Sequence, residues 1–272
     1  MSAAVARRAQ YTHGYHGSVL RSHNNRTIAN SAAYLQYALS PGLSLLDIGS
    51  GAGTITAEFA QRLAPGRVTA VEVAQAALDL TRAEIERHEL DNVHFVIGDV
   101  HALALADDSF DIVHAHQVLQ HVQDPVQALR EMRRVCKPGG IVAVRDADYA
   151  GFVWYPELTA LDAWLRCYQQ AARANGGEPN AGRHLLSWAR QAGFSDITST
   201  ASTWCLSTPD ARAWWGGMWA ERILHSKMAT QLRSDGLAQQ QDLERMAQAW
   251  RDWAAAEDGW MSILHAELVC RP

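Results

Sequence analysis

The feature that most constrains this chain is an apolar run that leads through three closely spaced glycines into a second patterned run. Together the runs cover residues 45–56, and the glycines are Gly49, Gly51 and Gly53. The first run is typical of a short buried strand and the second of an amphipathic helix. Glycine lets the backbone turn sharply and approach a ligand without a Cβ in the way. The stretch therefore predicts backbone N–H groups at the mouth of a binding cleft.

The spacing of these glycines distinguishes between cofactor classes. A phosphate-binding P-loop ends in a lysine followed by Ser or Thr, and this loop contains no lysine. A dinucleotide-binding loop has the spacing G-x-G-x-x-G, and Thr54 stands where its third glycine would be. The observed spacing is G-x-G-x-G, preceded by Asp47. A glycine turn without a ligand is the remaining alternative for the motif alone.

Strands and helices alternate along much of the chain. Apolar runs predict strands at residues 43–48, 67–73, 92–97, 110–115, 141–146 and 197–206. Helical patterns are predicted at residues 30–39, 54–63, 76–88, 125–135, 157–175 and 180–192. Because alternating strands and helices form a parallel sheet, we expect ligands at the carboxyl ends of its strands.

Two of these strand ends carry a carboxylate. Glu72 ends the second strand about twenty positions after the loop, where an acidic residue can accept both ribose hydroxyls of an adenosine. The alternative is a surface charge at a strand end. Asp99 follows the third strand and can receive the adenine amino group, while Val73 and Val100 can flank the ring. The loop and these residues together predict an adenosine site.

The motifs in order resemble those of the class I S-adenosylmethionine (SAM) methyltransferases, in particular the ubiquinone and menaquinone C-methyltransferases. They cover roughly residues 40–147, and they are 47–53, Glu72, 98–99, 110–113, 119–125 and 137–140. The resemblance implies a Rossmann-like α/β fold, a seven-stranded sheet with helices on both faces, and a helical substrate cap. It also implies a final antiparallel strand, which residues 262–269 fit.

The cofactor implied by this resemblance is SAM, with S-adenosylhomocysteine as its product. The residues predicted to bind it lie on the glycine loop, at the strand ends and in an N-terminal segment. They are Asp47, Gly49, Ser50, Gly51, Gly53, Glu72, Val73, Gly98, Asp99, Val100, His116, Gln117 and Tyr15.

The chain is predicted to divide into six segments. The N-terminal segment, with Tyr11, Tyr15 and His16, is interpreted as a lid over cofactor and substrate, or else as a packed extension or an arm exchanged between subunits of a homo-oligomer. The predicted boundaries are 1–39 for this arm, 40–148 for the SAM-binding core, 149–179 for a cap insertion, 180–207 for a core helix and strand, 208–258 for a tryptophan-rich helical cap and 259–272 for the final core strand.

Tryptophan is distributed unevenly, because all ten tryptophans lie after residue 150. Most of them are expected to pack the added helices on the sheet. Trp214, Trp215 and Trp219 lie beside two glycines and a methionine, and we predict that one or more of them contacts substrate. The further predicted substrate contacts are Tyr11, His16, Asp146 and Tyr149.

Methyl transfer from a sulfonium is an in-line displacement, so the donor and the acceptor must be held collinear. One proton of the acceptor must also be removed, unless the reaction tolerates it. Candidate general bases follow the fourth and fifth strands, and they are His116, His121 and Asp148. Each also has a structural alternative, such as capping or packing. A metal site at His114 and His116 lacks a third ligand in the local pattern, so we predict no metal.

Composition narrows the function classes further. The net charge is −5 and no block of lysines or arginines occurs, which argues against a nucleic-acid partner. The four cysteines are widely spaced and indicate neither a disulfide framework nor a zinc site. No signal peptide or membrane span is evident, and a cytoplasmic location is the expectation.

These observations predict a SAM-dependent methyltransferase that acts on a small, largely apolar molecule. The resemblance to the quinone C-methyltransferases favours carbon as the methylated atom, with oxygen and nitrogen still open. The alternatives are an NAD-dependent oxidoreductase, which the glycine spacing disfavours, and a non-catalytic SAM-binding scaffold. Methylation of a protein target is a further alternative.

Overall fold

The computed structural model describes residues 25–272, and within that range a single mixed sheet runs through the molecule. Its eight described strands are β1 (Leu45–Ile48), β2 (Val68–Glu72), β3 (Val93–Ile97), β4 (Phe110–His116), β5 (Cys136–Ala147), β6 (Val153–Tyr155), β7 (Asp196–Leu206) and β8 (Trp260–Arg271). The order across the sheet is β3-β2-β1-β4-β5-β8, and β6 and β7 both pair with β8.

The first five strands are parallel and the rest are antiparallel to their neighbours. β1 lies between β2 and β4, and Leu45 is in register with both Val68 and Ile112. β8 runs antiparallel to β5 and to β7. Short β6 pairs with the first residues of β8, which β5 leaves uncovered. Since β1, β2 and β4 end at the same edge, the residues that follow them meet there.

Nine α-helices in the described range cover the sheet and build the cap. They are α1 (Ile28–Ser31), α2 (Thr54–Leu63), α3 (Gln75–Arg87), α4 (Pro125–Val135), α5 (Thr159–Ala174), α6 (Ala181–Gln191), α7 (Pro209–His225), α8 (Lys227–Ser234) and α9 (Gln240–Ala255). Short 3₁₀ helices occur at Ala33–Ala38, Leu119–His121 and Tyr149–Gly151.

Three hydrophobic clusters hold these layers together. One cluster packs α4 and α6 against one face of the sheet through residues such as Leu129 and Leu185. A second packs α1 and α2 on the other face around Phe59. The third belongs to the cap and is centred on Trp164 and Trp250, both completely buried. The cap therefore has an apolar core of its own, which meets the sheet near the end of β5.

The predicted Rossmann-like α/β fold is confirmed, with three differences in its elements. β6 is an additional short strand, so the described sheet has eight strands rather than seven. The predicted tryptophan-rich helical cap consists of three helices, α7, α8 and α9. The helix predicted at residues 30–39 ends at Ser31 and continues as a 3₁₀ helix, and Trp204 Nε1 donates to the Asn30 carbonyl oxygen at 2.7 Å. That bond occupies a carbonyl that a continuous helix would use.

Candidate functional site

The glycine loop after β1 adopts backbone angles that favour glycine. The φ angles are +71° at Gly49, +58° at Gly51 and +83° at Gly53. A Cβ on Gly49 would lie 2.5 Å from Val118 Cγ2, and one on Gly53 would lie 2.8 Å from the Cα of Thr81. The loop is therefore tightly enclosed, and its backbone approaches the cleft as the spacing predicts.

Asp47, at the start of the motif, connects three elements. Its Oδ1 lies 2.8 Å from His114 Nδ1 on β4, and its Oδ2 accepts a hydrogen bond from Thr56 Oγ1 on α2 at 2.6 Å. Asp47 is buried and lines the same cavity as the loop. The two carboxylate oxygens of Asp47 thus connect β1 to β4 and to α2. Asp47 therefore supports the glycine loop.

Glu72 lies directly across from the loop. Its Oε1 accepts a hydrogen bond from the Gly51 N–H at 2.7 Å. Burial raises the pKa of this carboxyl above its usual value, partly opposed by the N–H groups of Gly51 and Val73. At the next strand end, Asp99 Oδ1 lies 2.6 Å from His101 Nδ1. Two carboxylates thus stand at one end of the cleft.

One cavity of about 310 Å³ extends from these carboxylates to the cap. Its first end is lined by the glycine loop, Glu72 and Asp99, together with Val73 and Val100. Its other end is lined mainly by aromatic and apolar side chains from the cap and from the ends of β5, β7 and β8. These include Tyr149, Phe152, Trp204, Trp215 and Ile263. The two halves of the chain therefore enclose a single continuous space.

His116, the last residue of β4, lies between these two ends. It is 5% exposed, and neither ring nitrogen has a hydrogen-bond partner among the described residues. Burial lowers its pKa well below the usual range, and the charge of Arg26 adds to the effect. Its ring lies 6.1 Å from that of Trp204 and 6.3 Å from that of His265. His116 is therefore a neutral imidazole that lines the cavity.

Gln117 follows with a φ of +54°, a left-handed conformation that is unfavourable for a residue with a side chain. Its Oε1 accepts a hydrogen bond from Arg26 Nη2 at 2.8 Å, and its Nε2 lies 2.9 Å from His265 Nε2. His265 Nδ1 lies 3.0 Å from the carbonyl oxygen of Ile263. Gln117 thus links the N-terminal Arg26 to β8 across the cavity wall.

Of the predicted general bases, Asp148 does not reach the cavity. Its two carboxylate oxygens each accept a hydrogen bond at 2.6 Å from the guanidinium of Arg183, which lies on α6. The Arg183 backbone N–H donates to the same carboxylate at 3.1 Å. This arrangement fixes the start of α6 to the end of β5, so Asp148 has a structural contact where the sequence predicted a catalytic one.

Asp146, predicted to contact substrate, is also absent from the cavity lining. It is fully buried beneath the 3₁₀ turn at Leu119–His121, and its Oδ1 accepts a hydrogen bond from the Gln120 N–H at 3.1 Å. Burial raises the pKa of this carboxyl to about 7. His121, on that turn, does line the cavity, and burial lowers its pKa to about 3.

Some of the aromatic residues predicted to contact substrate line the cavity, and others do not. Trp215 lines the cavity, whereas Trp214 and Trp219 do not. Trp219 is fully buried in the cap core, with its ring centroid 4.6 Å from that of Trp164. Tyr149 lines the cavity and stacks on Tyr168 at 4.1 Å. The predicted contacts Tyr11, Tyr15 and His16 lie outside the described residues.

A family model described as a methyltransferase domain matches residues 39–198, which is more than half of the 272-residue chain. The chain belongs to the SAM-dependent methyltransferases. The matched range begins before the glycine loop and extends into β7, so it contains the whole parallel part of the sheet.

Individual relatives agree with this assignment. An uncharacterized methyltransferase of Schizosaccharomyces pombe (strain 972 / ATCC 24843) is 35% identical over 269 residues, covering 95% of each chain. A ubiquinone/menaquinone biosynthesis C-methyltransferase of Hahella chejuensis (strain KCTC 2396) is 39% identical over 105 residues, covering 38% of this chain and 42% of its own. The resemblance inferred from the motifs is thereby confirmed.

A solved structure supports the fold. The phosphoethanolamine N-methyltransferase 2 of Haemonchus contortus, in complex with phosphomonomethylethanolamine and S-adenosylhomocysteine, has a TM-score of 0.59 and 18% identity. The match covers 94% of this chain and 57% of that one. At this identity the similarity concerns the fold alone.

The residues of this methyltransferase fit SAM, its methyl donor. The first end of the cavity combines a loop with no room for a Cβ at Gly49 and Gly53, a carboxylate facing that loop and apolar side chains at the next strand ends. That chemistry suits the ribose and the adenine ring of the cofactor. Deeper in, His116 supplies two unused nitrogen atoms beside the aromatic wall.

Among residues 25–272, no group of three or more His, Cys, Asp or Glu side chains is arranged to hold a metal ion.

Sequence reasoning missed several residues of this cavity. Arg26, Trp204, Arg222 and His265 all line it or support its wall, and none was predicted. Trp204 and His265 lie on the long strands β7 and β8, where the alternation of side chains between the two faces does not reveal the cavity. Arg222 lies on the same face of α7 as Trp215, which comes seven residues earlier. For Arg222, this helical spacing from Trp215 was the one available signal.

None of the helices between Asn25 and Pro272 is both long and apolar enough to span a bilayer.

Proposed function

We propose that this methyltransferase transfers the methyl group of SAM to a small, largely apolar molecule held against the aromatic wall of the cavity. The observation that carries the proposal is the continuity of that cavity, which joins the glycine loop to Trp204 and Trp215 without an intervening layer. A cavity of about 310 Å³ whose far end is lined by Tyr149, Phe152 and Trp215 suits a small acceptor better than a folded macromolecule.

The cofactor residues in this proposal are those that line the first end. Glu72 would accept the ribose hydroxyls, and Asp99 the adenine amino group, with Val73 and Val100 beside the ring. The backbone of the glycine loop would lie against the amino-acid part of the cofactor. When bound, SAM supplies an electrophilic methyl group on a sulfonium.

The role proposed for His116 is to accept a hydrogen bond, or a proton, from the acceptor. Its low pKa keeps the imidazole neutral near pH 7, so a ring nitrogen carries a lone pair. The absence of a partner among the described residues means that no existing bond has to be broken first. His121 is neutral for the same reason of burial and lines the cavity a turn further on.

The aromatic wall contributes orientation and water exclusion. Trp204 and Trp215 lie with their ring centroids 6.4 Å apart and nearly perpendicular, at 78°. Aromatic faces attract a cation, and a dry pocket favours a step in which the sulfonium charge disappears. Tyr149 and Phe152 continue the wall as a stacked pair at 4.4 Å.

Carbon is the proposed site of methylation, and the support for it is the similarity to the ubiquinone/menaquinone C-methyltransferase. That similarity covers less than half of either chain, and oxygen or nitrogen methylation follows from the same cavity if the acceptor differs.

The proposal is tested by incubating the protein with methyl-labelled SAM and a cell extract, then separating low-molecular-weight products from protein and nucleic acid. We expect label in the small-molecule fraction, identified by mass spectrometry. The Glu72→Ala protein should give little label at the same SAM concentration. Label in the protein fraction would instead support a macromolecular target, and SAM binding without any transfer would support a scaffold.

A further inference from the structure

The charged side chains that line the cavity are distributed by sign. Of the three lining carboxylates, Asp47 lies within β1, Glu72 ends β2 and Asp99 follows β3, all on the adenosine side. The guanidinium groups of Arg26 and Arg222 are on the other side. Among the described lining residues of the acceptor end, no Asp or Glu occurs. The cavity is therefore acidic where the nucleoside is proposed to lie and cationic where the acceptor is proposed to lie.

The histidines around the acceptor end are consistent with this polarity. Burial lowers the pKa of His116, His121 and His265, and in each case the positive charge of Arg26 contributes. A positive field that disfavours an imidazolium equally disfavours an ammonium group at the same place. An acceptor that presents an amine in its protonated form is therefore a poor match, whereas an anion is favoured.

Arg222 has a defined position in this end of the cavity. It lies on α7, is 3% exposed, and its guanidinium carbon is 4.5 Å from the centre of the Trp219 ring. Trp215, two turns earlier on the same face of α7, also lines the cavity and is 5% exposed. The Trp215 indole N–H has no hydrogen-bond partner in the part of the chain that the structure describes. Arg222 and Trp215 offer only donors, which suit an oxygen that carries negative charge.

We propose that the acceptor carries an anionic oxygen on an apolar body, and that Arg222 and Trp215 on α7 bind it. This inference rests on the proposed function, since it names the chemistry of the molecule that occupies the acceptor end. Arg222 determines specificity for the anion, and the aromatic wall holds the apolar body. Arg26, which donates a hydrogen bond to Gln117 at the end of β4, is the second guanidinium that lines the cavity.

The inference is tested with naphthoate as a probe for an apolar anion. Naphthamide and naphthylmethylammonium provide the neutral and cationic probes of similar shape. Each is titrated by calorimetry into protein saturated with S-adenosylhomocysteine. We expect naphthoate to bind about tenfold to a hundredfold more tightly than naphthamide, because one charge-assisted contact is gained. The ammonium probe should bind most weakly.

Variants assign this preference to a residue. Arg222→Gln should remove the preference for naphthoate over naphthamide, and Arg222→Lys, which keeps the charge, should retain part of it. Arg26→Gln removes the other lining guanidinium and should weaken the preference less than Arg222→Gln does. Each variant is first titrated with S-adenosylhomocysteine, so that a misfolded protein is recognised, and the Lys variant provides the comparison if the Gln variant is unstable.

Several results would overturn the inference. The first two are equal binding of naphthoate and naphthamide, and no binding of either. The third is a preference that survives in Arg222→Gln while that protein still binds S-adenosylhomocysteine. The fourth is a preference that Arg26→Gln weakens more than Arg222→Gln does. Failure of the wild-type protein to bind S-adenosylhomocysteine would instead contradict the proposed function, so the two failures are distinguishable.

Discussion

The two parts of the molecule use their characteristic residues in opposite ways. In the parallel half, nearly every residue of the glycine motif faces the cavity, and the backbone itself provides the binding surface. In the cap, most tryptophans face one another: Trp164, Trp219, Trp250 and Trp253 are all completely buried. Of the ten tryptophans, only Trp204 and Trp215 line the cavity.

This difference shows what each kind of sequence signal means. A glycine loop is constrained by what the backbone must approach, so its residues report directly on a ligand. A cluster of tryptophans is constrained first by the need to bury large side chains, since the helices α5, α7, α8 and α9 share one apolar core. Enrichment in tryptophan therefore locates the cap but does not select the residues that face the acceptor.

The largest expected effect is a loss of stability, without a loss of cofactor binding, on changing a tryptophan of the cap core. Trp164→Ala removes a completely buried ring whose edge contacts are with Trp219 at 4.6 Å and Trp250 at 4.7 Å. We expect the free energy of unfolding to fall by about 3–5 kcal/mol in chemical denaturation. Trp260→Ala, at a tryptophan that is 39% exposed, is the control and should lower it by less than about 1 kcal/mol.

The comparison fails if Trp164→Ala leaves stability unchanged. It also fails if the folded Trp164→Ala protein loses affinity for S-adenosylhomocysteine, because the cap core would then form part of the cofactor site.

The next effect compares two glycines, one from each part. Gly53→Ala places a Cβ 2.8 Å from the Cα of Thr81 at a φ of +83°, so the loop or α3 must shift. We expect affinity for S-adenosylhomocysteine to fall by about tenfold to a hundredfold, since left-handed strain alone is worth about 1–2 kcal/mol. Gly217→Ala on α7 places its Cβ in open space and should leave affinity unchanged. Equal affinities in the two variants would show that the loop does not bind the cofactor.

A smaller effect is expected at Glu72. Glu72→Gln removes the charge that would accept the ribose hydroxyls, and we expect a loss of about 1–3 kcal/mol in binding of S-adenosylhomocysteine by calorimetry. The matched control is Asp79→Asn on α3, an exposed carboxylate whose described bond is to Gln75 at 2.7 Å. An unchanged affinity in Glu72→Gln would remove Glu72 from the cofactor site.

The last comparison concerns the boundary between the two parts, where Asp146 is buried. Since its folded-state pKa is about 7 and an unfolded aspartate titrates near 4, the folded protein retains a proton that the unfolded chain loses. Stability should therefore fall as pH rises from about 4 to about 7, by at most about 1.4 kcal/mol per pH unit from this group.

The buried histidines have lowered pKa values and act in the opposite direction, because stability from their neutral form is lost as pH falls below about 6.5. The measurement is therefore the difference between wild type and Asp146→Asn in denaturation from pH 4 to pH 8. Asp146→Asn should gain stability relative to wild type as pH rises to about 7. Parallel profiles would contradict a proton on Asp146.

The sequence was sufficient where function depends on a local pattern. The G-x-G-x-G loop, Glu72 at the end of β2 and the alternation of strands and helices all follow from periodicity and motif spacing, and the structure brings Gly51 and Glu72 into contact. It was insufficient where a partner is distant. Asp148 looked like a base because nothing in its own stretch reveals Arg183, 35 residues later, which occupies both carboxylate oxygens.

Distance in sequence also explains the missed acceptor wall. Trp204 approaches His116 because β7, β8 and β5 are neighbours, a pairing that no local pattern encodes. Arg222 joins the cavity because α7 turns the face carrying Trp215 toward it. Such contacts depend on how the cap packs, so periodicity predicts the helix but not which of its faces meets the acceptor.

Hydrogen–deuterium exchange with and without S-adenosylhomocysteine tests most directly the claim that the parallel half, and not the cap, holds the cofactor. The account predicts slower exchange on binding in the glycine loop at residues 49–54 and after β2, β3 and β4, with α5 and α9 unchanged. Protection concentrated in the cap helices, with the glycine loop unaffected, would contradict it.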